Sequence, residues 1–171
     1  MSAIDQVNGS RGFTLVELMV TIAVLAIVVT IGVPSFRNII VSNSVAFDRD
    51  EFFTLVTFAR SEAIKRGTAI TICKSSNGSS CDDSLGWDGG WLAFHDADAD
   101  GAMDSGEEPV RTVGPLDGQV SVSHSAGDDE ITYGSRGLLV RGQGVVTFSH
   151  PSGSQFDRVV EIGITGRASK G

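Results

Sequence analysis

The feature that most constrains this chain is an apolar run near its N-terminus. Residues 13–33 contain a single charged side chain, that of Glu17. As an α-helix, a run of this length spans roughly 31 Å, which matches the hydrocarbon core of a bilayer at about 30 Å. The run is longer than the apolar stretch of an ordinary secretory signal, and no small-x-small cleavage site follows it. We therefore predict one membrane-spanning helix.

A charged side chain in such a helix costs free energy. On insertion scales the cost is about 2.5–3.5 kcal/mol at the helix centre and less near the interface. Two interpretations of Glu17 remain open from hydropathy alone. It is either a stray acid of an uncleaved signal anchor, close to the lipid headgroups, or a carboxylate with a positive partner. Pairing would be favourable here, because opposite charges attract strongly at low dielectric and each offsets the other's desolvation.

The start of the run resembles a known processing site. Residues 12–17 read Gly-Phe-Thr-Leu-Val-Glu, which is similar to the site of type IV prepilins and type II secretion pseudopilins. The resemblance implies that residues 1–12 are a leader, that a prepilin peptidase cleaves between Gly12 and Phe13, and that Phe13 is then N-methylated. It also implies an assembly role for Glu17, whose partner would be the N-terminal amine of a neighbouring subunit in a filament.

The rest of the chain has room for one further domain. With about 12 residues in the leader and about 22 in the membrane helix, roughly 100–140 of the 171 residues remain for a soluble domain. The net charge of −8 is concentrated there, since residues 68–171 carry fifteen acids and seven bases. Such an acidic domain, without an aromatic-rich basic surface, is atypical of strong nucleic-acid binders.

Two cysteines, Cys73 and Cys81, lie eight residues apart. Their spacing closes a small loop and is not typical of a metal site, so we interpret the pair as a disulfide. The alternative is two reduced thiols, which would suit a cytosolic protein better than one with a membrane anchor. The disulfide and the resemblance together place the distal domain in the periplasm and the anchor in the inner membrane.

After the membrane helix, assigned to residues 13–34, the pattern stays helical. Pro34 predicts a kink or a local break. Residues 35–67 predict an amphipathic helix that continues the anchor and stops at Lys65-Arg66-Gly67, because cations and glycine favour a helix C-terminus. Its apolar face comprises Phe36, Ile40, Phe52, Val56, Ala59 and Ala63. Its polar face comprises Asp50, Thr54, Thr57, Ser61 and Lys65.

From residue 68 to residue 171 the hydrophobic period changes to two, which indicates β-strands. The candidate strands are 69–73, 91–94, 109–113, 119–123, 131–133, 138–140, 145–149 and 159–164. Glycine, aspartate and serine separate them, so we predict an antiparallel sheet or small sandwich packed on the helix. The fold class is therefore α+β, with a β head domain, and this arrangement is again pilin-like.

Several head segments extend the resemblance to the minor pilins and pseudopilins of the FimT/FimU and GspH group. They are the block Ala59-Arg60-Ser61-Glu62-Ala63, residues 87–94 with Gly90-Trp91, the acidic loop that follows, and Val110-Arg111. We interpret Trp87 and Trp91 themselves as core aromatics.

The acidic loop fits the twelve-residue calcium pattern, with acids at positions 1, 3, 5, 9 and 12 and glycine at position 6. The candidate ligands are the carboxylates of Asp96, Asp98, Asp100, Asp104 and Glu107 and the carbonyl of Ala102. Predicted strands flank this loop, whereas helices flank the loop of an EF-hand. The alternative interpretation is an acidic, solvated hairpin loop.

The C-terminal string Gly166-Arg167-Ala168 matches the first three places of a Gly-Arg-x-Arg motif. Some FimT-like pilins that bind DNA for natural transformation carry this motif near the C-terminus. The fourth place here is Ser169, and Lys170 follows. Arg167 and Lys170 are therefore candidate phosphate contacts, aided by Arg136, Arg141 and Arg158 if these share one face. The alternative is a solvated tail.

Enzymatic motifs are missing from the sequence. His95, His124 and His150 lack metal-ligand spacing and are interpreted as surface or hairpin residues, and no nucleophile elbow, P-loop or dinucleotide fingerprint occurs. The sequence thus predicts a structural subunit of a type IV pilus or type II secretion pseudopilus, in a tip or initiation complex. Its expected partners are other pilins or pseudopilins, the prepilin peptidase and the membrane, with DNA as the alternative. No small-molecule substrate and no required cofactor are expected, apart from a possible Ca²⁺ ion.

Overall fold

The computed structural model describes residues 12–116 and 118–171 of the chain. The chain divides into two compact units, which we call the anchor unit, up to Ile40, and the head unit, from Val41 onward. One helix, α1 (Leu15–Arg66), contributes residues to both units. The predicted leader, apart from Gly12, lies outside the described residues.

Among the described residues, the anchor unit consists mainly of the first part of α1. An 18-residue window of this helix has a mean hydropathy of 2.6, and none of the window is buried, so its length and composition allow one membrane crossing. The helix is continuous across Pro34, so the local break considered from the sequence is wrong. Proline removes only its own N–H from the helical hydrogen bonds, and the neighbouring turns remain helical.

In the head unit, α1 buries one face. The buried apolar side chains follow helical spacing and are those of Val45, Phe52, Leu55, Val56, Ala59 and Ala63. Phe36 and Ile40, assigned to the same face from the sequence, are instead 65% and 54% exposed. These two residues lie in the anchor unit, whose described part has no second layer against which they could pack.

Helix α1 ends as its sequence predicts. Gly67 has φ +69° and donates its N–H to the carbonyl of Ala63 at 3.0 Å, which satisfies one of the last carbonyls of the helix. In the last turn, Lys65 and Arg66 both pair with Glu62, at 3.1 and 2.7 Å.

Two antiparallel sheets complete the described part of the head unit. The first sheet has the order β3-β2-β1-β5-β6, and the second has the order β4-β7-β8-β9. The strands of the first sheet are β1 (Ala69–Lys74), β2 (Trp91–Asp96), β3 (Pro109–Val113), β5 (Glu130–Tyr133) and β6 (Leu139–Arg141). Those of the second are β4 (Ser121–His124), β7 (Gly144–Ser149), β8 (Arg158–Ile162) and β9 (Ala168–Lys170).

Each of the predicted strands corresponds to an observed one, with ends that differ by up to two residues. β9 has no counterpart among the predicted strands, because its three residues show no hydrophobic alternation. β9 pairs with β8 in antiparallel register, with Ile162 opposite Ala168 and Val160 opposite Lys170. The segment is therefore a paired strand and not a free tail, although Ser169 and Lys170 are exposed to solvent as expected.

One hydrophobic core joins α1 to both sheets. It contains buried residues of the helix, of β1, β2 and β5, and of β4, β7 and β8. Trp87 and Trp91 belong to this core, as predicted. All six residues of β1 are buried, because both faces of this strand are covered. Ile70 and Ile72 lie in the core that contains α1, whereas Cys73 packs in a second cluster with Leu92 and Phe94. The protein is therefore an α+β fold in which a long N-terminal helix packs on antiparallel sheets.

Candidate functional site

The beginning of α1 positions Glu17. The Oγ1 atom of Thr14 accepts the backbone N–H of Glu17 at 3.2 Å, and the carbonyl of Thr14 accepts the N–H of Leu18 at 3.1 Å. Thr14 is thus the N-cap of the helix, and Glu17 lies in its first turn, where a carboxylate interacts favourably with the helix dipole. This cap was not among the predicted features, although Thr14 and Glu17 match the Thr-x-x-Glu capping pattern.

Glu17 is exposed among apolar neighbours. Phe13, Leu15 and Val16 are each at least 68% exposed, and the apolar surface continues along the anchor unit. Among residues 12–116 and 118–171, no basic group lies within ion-pair distance of Glu17. A cationic partner for this carboxylate must therefore come from outside the described part of the chain.

The acidic loop joins β2 to β3, and the hairpin brings its two ends together. One carboxylate oxygen from each of Asp96, Asp98 and Glu107 lies within 4.8 Å of the others. The same holds for Asp98, Asp100 and Asp104. The five carboxylates predicted as ligands thus form two groups that share Asp98. Gly101 allows the turn between them, with φ +90°.

Asp96 differs from the other acids of this loop because it is completely buried. Its Oδ2 atom accepts hydrogen bonds from Thr71 Oγ1 at 2.6 Å and from the N–H of Gly101 at 3.1 Å. Its Oδ1 atom has no hydrogen-bond partner within the described residues. A buried carboxylate oxygen without a partner is costly.

The disulfide predicted from the sequence is present. Cys73 in β1 and Cys81 are joined by an S–S bond of 2.03 Å. Cys73 is buried and Cys81 is partly exposed beside a cleft that it shares with Asp83 and Met103. The bond therefore ties the loop of residues 75–80 to the first sheet, next to the acidic loop.

Two of the three arginines expected to aid a phosphate contact make hydrogen bonds within the head. Arg141 donates to the carbonyl of Asp100 and pairs with Glu130 at 3.0 Å, so it belongs to the surroundings of the acidic loop. Arg158 donates to Ser42 Oγ at 3.0 Å. Arg136 is exposed. Arg141 and Arg158 therefore serve different local contacts.

The C-terminal hairpin is held against α1. Lys170 pairs with Asp50 at 3.3 Å, and its Nζ atom lies 5.0 Å from the centre of the Phe53 ring. Asp50 also pairs with Arg49 at 2.8 Å. Although desolvation acts in the opposite direction, these two cations hold the pKa of Asp50 below its usual range. Of the two predicted DNA contacts, Lys170 is thus engaged within the head, while Arg167 is exposed.

Arg60 was not singled out from the sequence, yet it joins three parts of the head. Its guanidinium donates to the carbonyl of Gly137 at 3.0 Å and to the carbonyl of Thr165 at 3.1 Å. Gly137 lies in the turn between β5 and β6, and Thr165 lies in the turn between β8 and β9. The planar guanidinium can reach both turns because it carries several N–H donors.

The assignment of all three histidines to surface or hairpin positions is wrong for His124. It is buried at the end of β4, its Nε2 atom lies 3.2 Å from the carbonyl of Gly142, and its ring lies 6.1 Å from Trp87. The alternation of Ser121, Val122, Ser123 and His124 could have shown this, because His124 shares the inward face of Val122.

Comparison with solved structures defines the class of the fold, which is pilin-like. The minor pilin FimU of Pseudomonas aeruginosa superposes with a TM-score of 0.60 at 19% identity, over 74% of this chain and 87% of FimU. The minor pseudopilin EpsH of Vibrio cholerae superposes with a TM-score of 0.52 at 9% identity, over 74% of this chain and 95% of EpsH. Both likenesses concern the fold.

Comparison with family models gives the family. The model described as "Type II transport protein GspH" matches residues 48–166, and that of the prokaryotic N-terminal methylation motif matches residues 7–33. The chain therefore belongs to the GspH family of minor pilins and pseudopilins, which are structural subunits. The methylation motif and the apolar helix fit a membrane-anchored member.

Proposed function

We propose that this protein is held in the inner membrane by α1, with its head in the periplasm, until it enters a pilus or pseudopilus. The observation that carries the proposal is the exposed carboxylate of Glu17, which has no cationic partner in the described chain and lies on an apolar helix of membrane-spanning length. The disulfide between Cys73 and Cys81 supports the periplasmic location, because such bonds persist in oxidising compartments.

The proposed assembly contact is a charge pair between subunits. Cleavage between Gly12 and Phe13 by the prepilin peptidase creates a new amine on Phe13, which is then methylated and remains positive. Glu17 of one subunit pairs with this amine on its neighbour. In an apolar helix bundle each charge offsets the desolvation of the other, so that helices packed in register are favoured over helices packed out of register.

Placement in a tip or initiation complex is the finer part of the proposal. It is supported by the fold likeness to FimU and EpsH, which are themselves described as a minor pilin and a minor pseudopilin. A minor subunit is present in few copies, and a few copies suffice at one end of a filament but not along its length.

The test replaces Glu17 by alanine in the full chain. We expect Glu17→Ala to fractionate with the inner membrane in wild-type amounts, because removing a charge favours insertion. We expect cross-linking to other pilins or pseudopilins in the membrane to fall by at least tenfold. The matched control is Glu161→Ala, which removes an exposed carboxylate of β8 and leaves the helix unchanged. Wild-type cross-linking of Glu17→Ala would refute the charge pair.

The alternative of DNA capture has less support. Lys170 is paired with Asp50, and the two contacts of Lys170 hold the hairpin on α1. The remaining candidate, Arg167, is exposed on an acidic head. DNA binding stays a prediction, and a gel shift at low salt tests it. A shift that is weakened in Arg167→Ala and preserved in Arg111→Ala, which removes an arginine that lies over Phe58 and is not a candidate contact, would favour this alternative over a purely structural role.

A further inference from the structure

We propose that the loop from Asp96 to Glu107 binds one calcium ion. The ligands are the carboxylates of Asp96, Asp98, Asp100, Asp104 and Glu107, together with the carbonyl of Ala102. This site is independent of the anchor and of the proposed assembly contact at Glu17.

In an EF-hand, two flanking helices hold the ends of the calcium loop close together. Here the β2–β3 hairpin holds the ends of the loop together. β2 ends at Asp96, the first position of the pattern, and β3 begins at Pro109, two residues after the last position. The N–H of His95 donates to the carbonyl of Glu108 at 3.0 Å. The first and twelfth positions are therefore held next to each other by strand pairing, and carboxylate oxygens of Asp96 and Glu107 lie within 4.8 Å.

The buried carboxylate of Asp96 is the observation that points to a ligand. Asp96 is 0% exposed, and its Oδ1 atom has no hydrogen-bond partner among the described residues. Its Oδ2 atom accepts hydrogen bonds from Thr71 and from the N–H of Gly101, and one of its carboxylate oxygens lies within 4.8 Å of oxygens of Asp98 and Glu107. Isolated buried charges are rare because of their desolvation cost, and a coordinated cation removes most of that cost.

Within residues 12–116 and 118–171, no cationic side chain pairs with the cluster. In the described part of the chain, none of the five carboxylates forms an ion pair with lysine, arginine or histidine. The nearest guanidinium interaction is that of Arg141, which binds the carbonyl of Asp100 and the carboxylate of Glu130. Five like charges within one loop repel one another, and a divalent cation would convert this repulsion into attraction.

The donor set favours Ca²⁺ over other metals. All six candidate ligands are oxygens, which excludes the sulfur and imidazole ligands typical of zinc sites. Six or more oxygens from a flexible loop suit Ca²⁺, whereas Mg²⁺ requires near-ideal octahedral geometry and retains several waters. Glu107 can take part, because each of its oxygens accepts one N–H, from Ala97 and from Asp104, and keeps further lone pairs. Because the two hydrogen bonds to Glu107 compete with the ion, we expect a dissociation constant for Ca²⁺ of about 10⁻⁴–10⁻³ M.

The experiment measures calcium binding by the full chain in detergent after removal of metal. We expect ⁴⁵Ca²⁺ to bind at one site per chain. At a concentration tenfold above the dissociation constant, we expect Ca²⁺ to raise the melting temperature of the head by about 3–6 °C relative to EGTA. Mg²⁺ at the same concentration should have less than half this effect.

Two variants decide whether the loop is responsible. Asp98→Asn removes the carboxylate shared by both groups, on an exposed side chain, and should weaken calcium binding at least tenfold. Asp83→Asn makes the same change on an exposed acid that lines the neighbouring cleft but belongs to neither group, and should bind like the wild type. Absence of binding by the wild type would overturn the proposal. Equal weakening in both variants, or an equal effect of Mg²⁺, would also overturn it.

Discussion

Phe52 is the side chain through which α1 contacts the aromatic core of the head. It is completely buried, and its ring centre lies 5.0 Å from that of Trp91, 5.7 Å from that of Phe148 and 5.9 Å from that of Trp87. These partners come from β2, from β7 and from the short 3₁₀ turn at Trp87–Gly89. Substitution of Phe52 by alanine therefore opens a cavity where the helix meets both sheets.

The expected cost follows from this environment. Truncation of a buried phenylalanine to alanine costs about 3–5 kcal/mol. Because Phe52 also loses aromatic contacts that are each worth about 0.5–1.5 kcal/mol beyond area burial, we expect about 4 kcal/mol, in the middle of that range. With a denaturant slope of about 2 kcal/mol per molar urea, the unfolding midpoint should fall by about 2 M.

The assay is urea unfolding of the full chain in detergent, followed by tryptophan fluorescence. The chain has two tryptophans, Trp87 and Trp91, and both contact Phe52, so the signal reports on the head. The matched control is Phe47→Ala on the same helix, where the side chain is 67% exposed. Its midpoint should change by no more than about 0.25 M, since exposed substitutions cost about 0.5 kcal/mol or less. Similar midpoints for the two variants would refute this account of the core.

Further predictions concern the disulfide and the last turn of α1. Replacing both Cys73 and Cys81 by alanine should lower the free energy of unfolding by about 2.5 kcal/mol, because the eight-residue separation closes a short loop, and reducing agent should then have no further effect on the urea midpoint of the variant. Arg66 and Lys65 hold the pKa of Glu62 below its ordinary value of 4.5, so the contribution of this carboxylate to stability is present above pH 4.5 and is lost as the pH falls through the lowered folded-state value. Urea midpoints measured from pH 6 to pH 2.5 should therefore fall less steeply in Glu62→Gln than in the wild type, and identical slopes would contradict this role.

Elements with a strong hydrophobic period were predictable from the sequence. The apolar face of α1 in the head, the largely apolar runs of β1 and β2 and the alternation of β7 are visible in the sequence. The disulfide followed from the spacing of Cys73 and Cys81 and from the anchor. The order of the strands could not be predicted, because β5 pairs with β1 across more than fifty residues while β4 joins the other sheet. Such pairing depends on tertiary contacts rather than on local preference.

The predictions that were wrong also failed because they depend on tertiary contacts rather than on local sequence preference. Phe36 and Ile40 match the hydrophobic period of the helix. This period alone does not show which part of the helix packs against the sheets. β9 has only three residues and no hydrophobic alternation, and its position depends on pairing with β8 and on the contacts of Lys170. At the acidic loop, the sequence supplied the candidate ligands, but the burial of Asp96 became visible only with the fold.

The two hydrogen bonds of Arg60 bear on how the head unfolds. They connect the helix to residues 77 and 105 positions away in the chain, in turns that belong to different sheets. Neither sheet can separate from α1 without breaking one of these bonds and leaving a donor without its partner. The two sheets should therefore melt together in a single cooperative transition rather than one after the other. Replacement of Arg60 by lysine would not preserve this coupling. A single ammonium group cannot donate to both carbonyls in the way that the separate N–H groups of a guanidinium do.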